Sequence, residues 1–271
     1  MKNRCKQLLA ALAAAAILLA AAGCGSSESA AQGDDSLKKV LQAGQLVLGL
    51  DTEFPPMGFI DETGEIVGFD IDVAREVCSR LGVTLVPKGI DWDHKEEELN
   101  SGAIDCIWNG MSVTPERAAA MNLSEPYMNN EQIFVVLGDS DVKEMQDLIG
   151  RRVGVQVGST SQEALEASAL YADVVVVASE THQENVRKLK EGEVDAILVD
   201  SVAAFYSVFS SDQLYYILPE SLGQEEYAIG FRKGDQALRD RVQEIIGDMK
   251  ADGTLGQISK KWFGSDITIV K

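Results

Sequence analysis

The heptapeptide Leu99-Asn100-Ser101-Gly102-Ala103-Ile104-Asp105 recurs as Leu189-Lys190-Glu191-Gly192-Glu193-Val194-Asp195. Each copy reads as a helix stopped at glycine, then an apolar run: Cys106-Ile107-Trp108 after the first, Ala196-Ile197-Leu198-Val199 after the second. A glycine past the last turn is a common left-handed stop, and short unbroken apolar runs suit strands covered on both faces. A fainter echo pairs Leu46-Val47-Leu48-Gly49-Leu50 with Arg152-Val153-Gly154-Val155-Gln156. Two copies of one helix-strand plan predict two similar lobes rather than one barrel.

Local patterns fill in that plan. Ile71, Ala74, Val77, Cys78 and Leu81 form a helical stripe, with Asp70 as its expected N-cap and Gly82 as its stop. Val83 to Val86 is the next strand. Leu238, Val242, Ile245, Ile246 and Met249 have helical spacing, Gly253 stops that helix, and Ile258, Trp262 and Phe263 pack a last one. Helices alternating with short apolar strands predict an α/β fold with a mostly parallel sheet. The extended segments 132–137 and 226–231 are the candidates for crossing between lobes. Lobe 1 is then 37–133 with 229–271, and lobe 2, residues 134–228, is an insertion.

Lys plus Arg is 24 against 43 Asp plus Glu, a formal net charge of −19. Such a chain lacks the basic surface that phosphate binding requires, so nucleic acid is not an expected partner. The cysteines stand at 5, 24, 78 and 106 with no CxxC pair, and His94 and His182 are the only histidines, so neither a metal nor a cofactor is expected. Cys78 and Cys106 can be a disulfide or two buried thiols. His94 reads as a surface residue and His182 as the first turn of a helix. No lysine precedes Ser159 or Thr160, which rules out a P-loop.

The N-terminus is an address. Lys2, Arg4 and Lys6 precede the apolar run Leu8 to Ala22, which has signal-peptide length and is short for a membrane span. Ala21-Ala22-Gly23-Cys24 resembles a bacterial lipoprotein signal, with residues 1–23 removed and Cys24 lipidated. Residues 24–36, rich in Gly, Ser, Ala and Asp, then form a flexible tether. The expected location is outside the cell membrane, held by lipid, with no other segment of spanning length.

Four loops follow strand ends, where ligands sit in open α/β sheets: Asp51 to Pro56, Asn109 to Arg117, Gly158 to Ser161, and Asp200-Ser201. Their neighbourhood carries linked motifs: GFDID at 68–72, GMSVTPER at 110–117, VGVQVGST at 153–160, VDAILVD at 194–200 and DGTLGQISKKWFG at 252–264. In order and spacing these resemble the extracytoplasmic solute-binding proteins, family 3, of polar amino acid ABC importers, over about residues 40–265. The resemblance implies a two-lobed type II periplasmic-binding fold with two crossover hinge strands, and a monomer that passes its amino acid to an ABC permease.

The chemistry of the loops agrees. A zwitterion drawn out of water needs a partner for each charge. Arg117 offers a planar fork for the α-carboxylate, Ser112 a hydroxyl and an N–H, and Thr160 the N–H groups of a helix start. Asp200 supplies the negative partner for the α-ammonium, or caps the following helix, or both. The resemblance assigns the same roles and adds the Gly110 carbonyl, with Asn109 and Met111 on the same segment. Asp51, Phe54 and Trp92 match side-chain-contacting positions; the alternative for either ring is a place in the core. Asp51, with Glu53 and Asp91 nearby, favours a basic side chain, with glutamine or cystine next. Asn109 and Gln156 depart from the residues common in histidine and lysine binders. An enzyme of the cyclohexadienyl dehydratase type, with Glu53 as its acid, and a sensory binding subunit are the alternatives on the same fold.

Overall fold

The computed structural model describes residues 33–209 and 214–271; the signal peptide, Cys24 and most of the expected tether lie outside the described residues. Asp34 accepts from the Ser36 N–H at 2.9 Å and from the Ala237 N–H, and Ser36 Oγ accepts from the Leu238 N–H at 3.1 Å. The chain is therefore folded from Asp34 onward, and the last residues of the expected tether belong to the domain.

In chain order, α1 (Ser36–Ala43) leads to β1 (Gln45–Leu50). A small antiparallel sheet of β2 (Glu53–Phe54), β3 (Gly58–Ile60) and β4 (Ile66–Val67) follows. Next come α2 (Phe69–Leu81), β5 (Thr84–Gly89), α3 (Lys95–Ser101), β6 (Cys106–Ser112), α4 (Pro115–Ala120), β7 (Asn122–Leu123) and β8 (Met128–Leu137). The plan then repeats as β9 (Arg152–Gln156), α5 (Thr160–Ala167), β10 (Val175–Ser179), α6 (His182–Lys190) and β11 (Ala196–Asp200). The chain closes with α7 (Ser201–Phe209), β12 (Tyr215–Phe231), α8 (Gln236–Ala251) and α9 (Thr254–Phe263).

The large sheet runs β10-β9-β11-β8-β12-β6-β1-β5. It is two parallel three-stranded halves of the same order, each with its first strand in the middle: β1 between β5 and β6, β9 between β10 and β11. Joining them is an antiparallel pair, β8 against β12, with β8 also bound to β11 and β12 to β6. The two extended segments singled out in the sequence lie in these joining strands.

The repeated heptapeptide has a physical task. Gly102 and Gly192 end their helices at φ 81° and 70°. The aspartate three residues later then clips the start of the central strand of its own half. Asp105 Oδ2 accepts from the Val47 N–H at 2.8 Å, and Asp195 Oδ2 from the Arg152 N–H at 2.8 Å. In both halves the same aspartate's N–H donates back to the same residue's carbonyl, at 2.7 and 2.8 Å.

Ile71, Ala74, Val77 and Cys78 of the α2 stripe are buried and Leu81 partly so, and Gly82 ends the helix in the left-handed region. Its N-cap is Gly68, however, not Asp70. Asp70 is fully buried one position into the helix, where its Oδ2 accepts from the Gly110 N–H at 2.7 Å and the Tyr127 hydroxyl at 2.9 Å. Burial pushes its carboxyl up to about 7. Cys78 and Cys106 are both free, buried thiols.

Leu46, Leu48 and Leu50 of β1 are inaccessible to solvent and join Val77, Trp108, Ile245 and Met249 in a large core that continues through the joining strands to Ile197, Val199 and Val202. Phe134, Val153, Val155, Leu165 and Leu198 form a separate core in the second half. Leu48→Ala should therefore cost about 2–5 kcal/mol, from lost transfer energy plus the cavity left behind. Urea unfolding is the measurement, and a loss under about 1 kcal/mol would mean that β1 is not central to the core.

Candidate functional site

The loops at the ends of β1, β6, β9 and β11 converge on one cavity. Its walls are Asp51, Phe54, Trp92, Asn109, Gly110, Ser112 and Arg117 from the first half and Gln156, Ser159, Thr160 and Asp200 from the second. The residual space is about 20 Å³, room for roughly one water. The halves are closed on each other.

Several contacts span the cleft. Gln156 Nε2 donates to Asp51 Oδ2 at 2.8 Å, and Thr181 Oγ1 to Glu53 Oε2 at 2.8 Å. Thr160 Oγ1 lies 3.2 Å from Ser112 Oγ, and the Phe54 ring meets His182 edge-on at 5.8 Å. Lys95 Nζ and Arg117 Nη2 both donate to the Gly158 carbonyl, at 3.1 and 3.3 Å. Gly158 permits this approach because it adopts φ +67° and because a Cβ there would fall 2.6 Å from Asp93 Oδ1.

Arg117 leaves water almost completely, at 4 % exposure. Pro115 at the start of α4 and Thr114 as its N-cap set the backbone that aims this side chain inward. Its Nη1 donates to the Ser112 carbonyl at 3.0 Å. Among the described residues no carboxylate stands within ion-pair distance of it, and burial holds its guanidinium below the usual range. A buried cation on carbonyl dipoles alone is costly, and an entering carboxylate relieves that cost.

Asp200 ends β11 and is buried. Its Oδ1 accepts from Asn130 Nδ2, from Gln132 Nε2 at 3.1 Å and from the Tyr227 hydroxyl at 2.9 Å. Burial first, and the neighbouring Glu225 carboxyl second, push its carboxyl up to about 7. The cleft thus pairs a cation in want of an anion with an anion in want of a cation.

The side-chain end is lined by Asp51, Phe54 and Trp92. Asp51 is buried and receives the Glu53 N–H at 2.8 Å beside the Gln156 amide; burial raises its carboxyl. Its own N–H donates to Asn109 Oδ1 at 3.0 Å, which explains why Asn109 faces this loop. Trp92 carries Lys95 Nζ 5.2 Å from its ring centroid. Burial lowers Lys95 to about 8. Gly110 takes φ +58°, where a side chain is strained, and a Cβ would crowd Met57, Tyr227 and Phe54.

The structure corrects one predicted site residue and adds others. Met111 faces away from the cavity and packs with Leu99, Ile104, Ile107 and Met121. Gly110 at φ +58° interrupts the strand's alternation, so Asn109 and Gly110 both reach the cavity while Met111 turns into the core. Gln156, legible in the sequence only as a departure from a family pattern, bridges the cleft. Asn130, Gln132, Tyr227 and Glu225 escaped the sequence reading. The first two carry no signal of their own, because they stand in the polar run Asn129-Asn130-Glu131-Gln132 and only their burial, alternating with that of their neighbours, sets them apart. His182 begins α6 as expected but is buried, its Nε2 unpartnered, and burial alone lowers it to about 4. Glu53 lies on the rim, engaged by Thr181.

With this geometry established, comparison with known proteins gives the class. The model of the bacterial extracellular solute-binding proteins, family 3, matches residues 46–265. The chain belongs to that family. It is 32 % identical over 249 residues to the L-cystine-binding protein TcyJ of Escherichia coli K12, covering 90 % of this chain and 92 % of that protein. It is 31 % identical over 266 residues to the arginine-binding extracellular protein ArtP of Bacillus subtilis, covering 95 % and 98 %. Among solved structures, an ABC uptake transporter substrate-binding protein from Streptococcus pneumoniae with bound histidine superposes with a TM-score of 0.84. That pair is 36 % identical, over 88 % of this chain and 99 % of that one. The fold is the two-lobed periplasmic-binding fold of these neighbours.

Proposed function

We propose that the protein is a receptor that takes one free amino acid between its halves and delivers it to an ABC importer. The observation that carries this reading is that Arg117 and Asp200, from opposite halves, line one closed cavity. The solute's α-carboxylate sits on the Arg117 fork and its α-ammonium on Asp200 with the Gly110 carbonyl. A solute that touches both halves binds the closed form better than the open one, and that difference drives closure. The lobes are 37–133 with 229–271, and 134–228, hinged on β8 and β12. The relatives named above are a cystine-binding protein, an arginine-binding protein and a binding protein with bound histidine, and their similarity supports the amino-acid reading.

The preferred solute is a basic amino acid, with glutamine or cystine next. Asp51 is a buried acceptor at the side-chain end, and Phe54 and Trp92 offer ring faces to a long or cationic group. Calorimetry with the twenty amino acids and cystine is the test. Binding of arginine, lysine or histidine, alone or with cystine or glutamine, is the expected result. Binding of aspartate and glutamate alone would overturn the Asp51 argument, and no binding at all would overturn the receptor.

The mature chain begins at Cys24, lipid-anchored outside the cell membrane. Radiolabelled palmitate should mark the wild-type protein in its native host, and Cys24→Ala should release an unlabelled protein from the membrane. Equal labelling of both would exclude this anchor.

A further inference from the structure

Glu225 stands at the hub of the cleft although no predicted role involves it. It lies on β12, paired with Asn130 of β8. Its Oε2 accepts from Ser112 Oγ at 2.6 Å, Gln132 Nε2 at 2.9 Å, Asn130 Nδ2 at 3.1 Å and Thr160 Oγ1 at 3.2 Å. The amides of Asn130 and Gln132 also reach Asp200 Oδ1, so each bridges the two carboxyl groups.

A serine hydroxyl has one hydrogen and two lone pairs, whereas a carboxylate only accepts. With its hydrogen committed to Glu225 at 2.6 Å, Ser112 Oγ has only lone pairs to offer the cavity. Thr160 Oγ1 has its single hydrogen divided between Glu225 and Ser112 Oγ, both at 3.2 Å. Neither hydroxyl is then free to donate to a solute carboxylate, contrary to the role first expected of Ser112.

Building on the amino-acid receptor reading, we propose that Glu225 is a positioning residue that sets the polarity of the Ser112 hydroxyl, making Ser112 Oγ an acceptor for the solute's α-ammonium beside Asp200. The cleft is thereby divided by hydrogen-bond sense. The ammonium end is built of acceptors, and the carboxylate end is left to Arg117 and to backbone N–H groups. Specificity for an α-amino acid over a plain carboxylic acid follows from that division, because a solute without the ammonium leaves several buried acceptors facing nothing.

The test is a double-mutant cycle read by calorimetry, using whichever of the twenty L-amino acids and L-cystine binds the wild-type protein most tightly. Glu225→Gln replaces the carboxylate by a neutral amide, a weaker acceptor, and so loosens the hold on the hydroxyl hydrogen. It should weaken binding ~10- to 100-fold, the range of a hydrogen bond to a charged group. In the Ser112→Ala background, where there is no hydroxyl to orient, the same change should cost less than about twofold. Glu225→Ala, which removes the acceptor without adding a donor, is read in the same two backgrounds and supplies the result if the glutamine variant does not fold. Unchanged or tighter binding by the single variants, or an equal loss with and without Ser112, would overturn the proposal. A wild-type protein that binds none of the panel overturns the receptor reading instead, so the two failures are distinguishable.

Discussion

Arg117→Ala should lower amino-acid affinity by roughly 30- to several-thousand-fold, the cost of leaving one member of a buried charge pair alone. Without the guanidinium, the solute carboxylate has only N–H groups to replace its water. Calorimetry on wild type and variant measures the loss, and a drop of less than about fivefold would mean that the carboxylate lies elsewhere. Damage to the fold does not explain the expected result. Arg117 is buried on carbonyls without an ion-pair partner among the described residues, and its desolvation is a cost to the unliganded protein. Its removal should leave the unliganded melting temperature unchanged or higher, while the rise in melting temperature on adding the amino acid disappears. Arg117→Lys should fall between, because an ammonium keeps the charge but loses the planar fork.

Asp200→Asn should weaken binding by a similar factor and should also remove a pH dependence. Asp200 titrates near 7 in the unliganded fold, against an ordinary aspartate value of 3.8. It must be ionised to hold an ammonium, so wild-type affinity should rise by up to about tenfold per pH unit below 7 and level off above it. Stability of the unliganded protein has the opposite slope. A folded-state pKa raised above the unfolded value contributes stability that is complete below about pH 4 and is lost as pH rises through about 7. Asp70 is raised likewise, to about 7, and acts in the same direction. His182, lowered to about 4, opposes both, since its contribution is lost as pH falls from 6.5 toward 4. Asp200→Asn should therefore flatten the affinity profile and only reduce the stability slope. An affinity profile that keeps its rise in the variant would assign the titration to another group.

Some of the site was legible because its chemistry is local. Asp51, Ser112, Arg117, Thr160 and Asp200 each follow an apolar strand, and strand ends gather where an α/β sheet binds ligands. Thr160 and Arg117 also sit at helix starts whose caps, Ser159 and Thr114, can be read from the neighbouring residues. Met111 was misplaced because Gly110, at φ +58°, re-aims the strand beside it, and a motif does not say which positions then face the cleft. Asp70 was misread for a related reason. An aspartate at a helix start is ordinarily a cap, and only its burial beneath Gly110 and Tyr127 gives it another task.

The amino-acid order alone determined the repeated helix-strand plan, the two crossing segments, the faces of α2 and α8, and the loops that carry the charges. These follow from hydrophobic period, glycine stops and capping residues, all properties of neighbours along the chain. Only the tertiary structure decided which half meets which across the cleft. Gln156 bonding Asp51, Lys95 and Arg117 sharing the Gly158 carbonyl, and Glu225 holding Ser112 and Thr160 join residues far apart in sequence. Those pairings are set by the packing of β8 against β12 and the closure it permits, and the direction of a hydroxyl hydrogen depends on the acceptor that packing brings beside it.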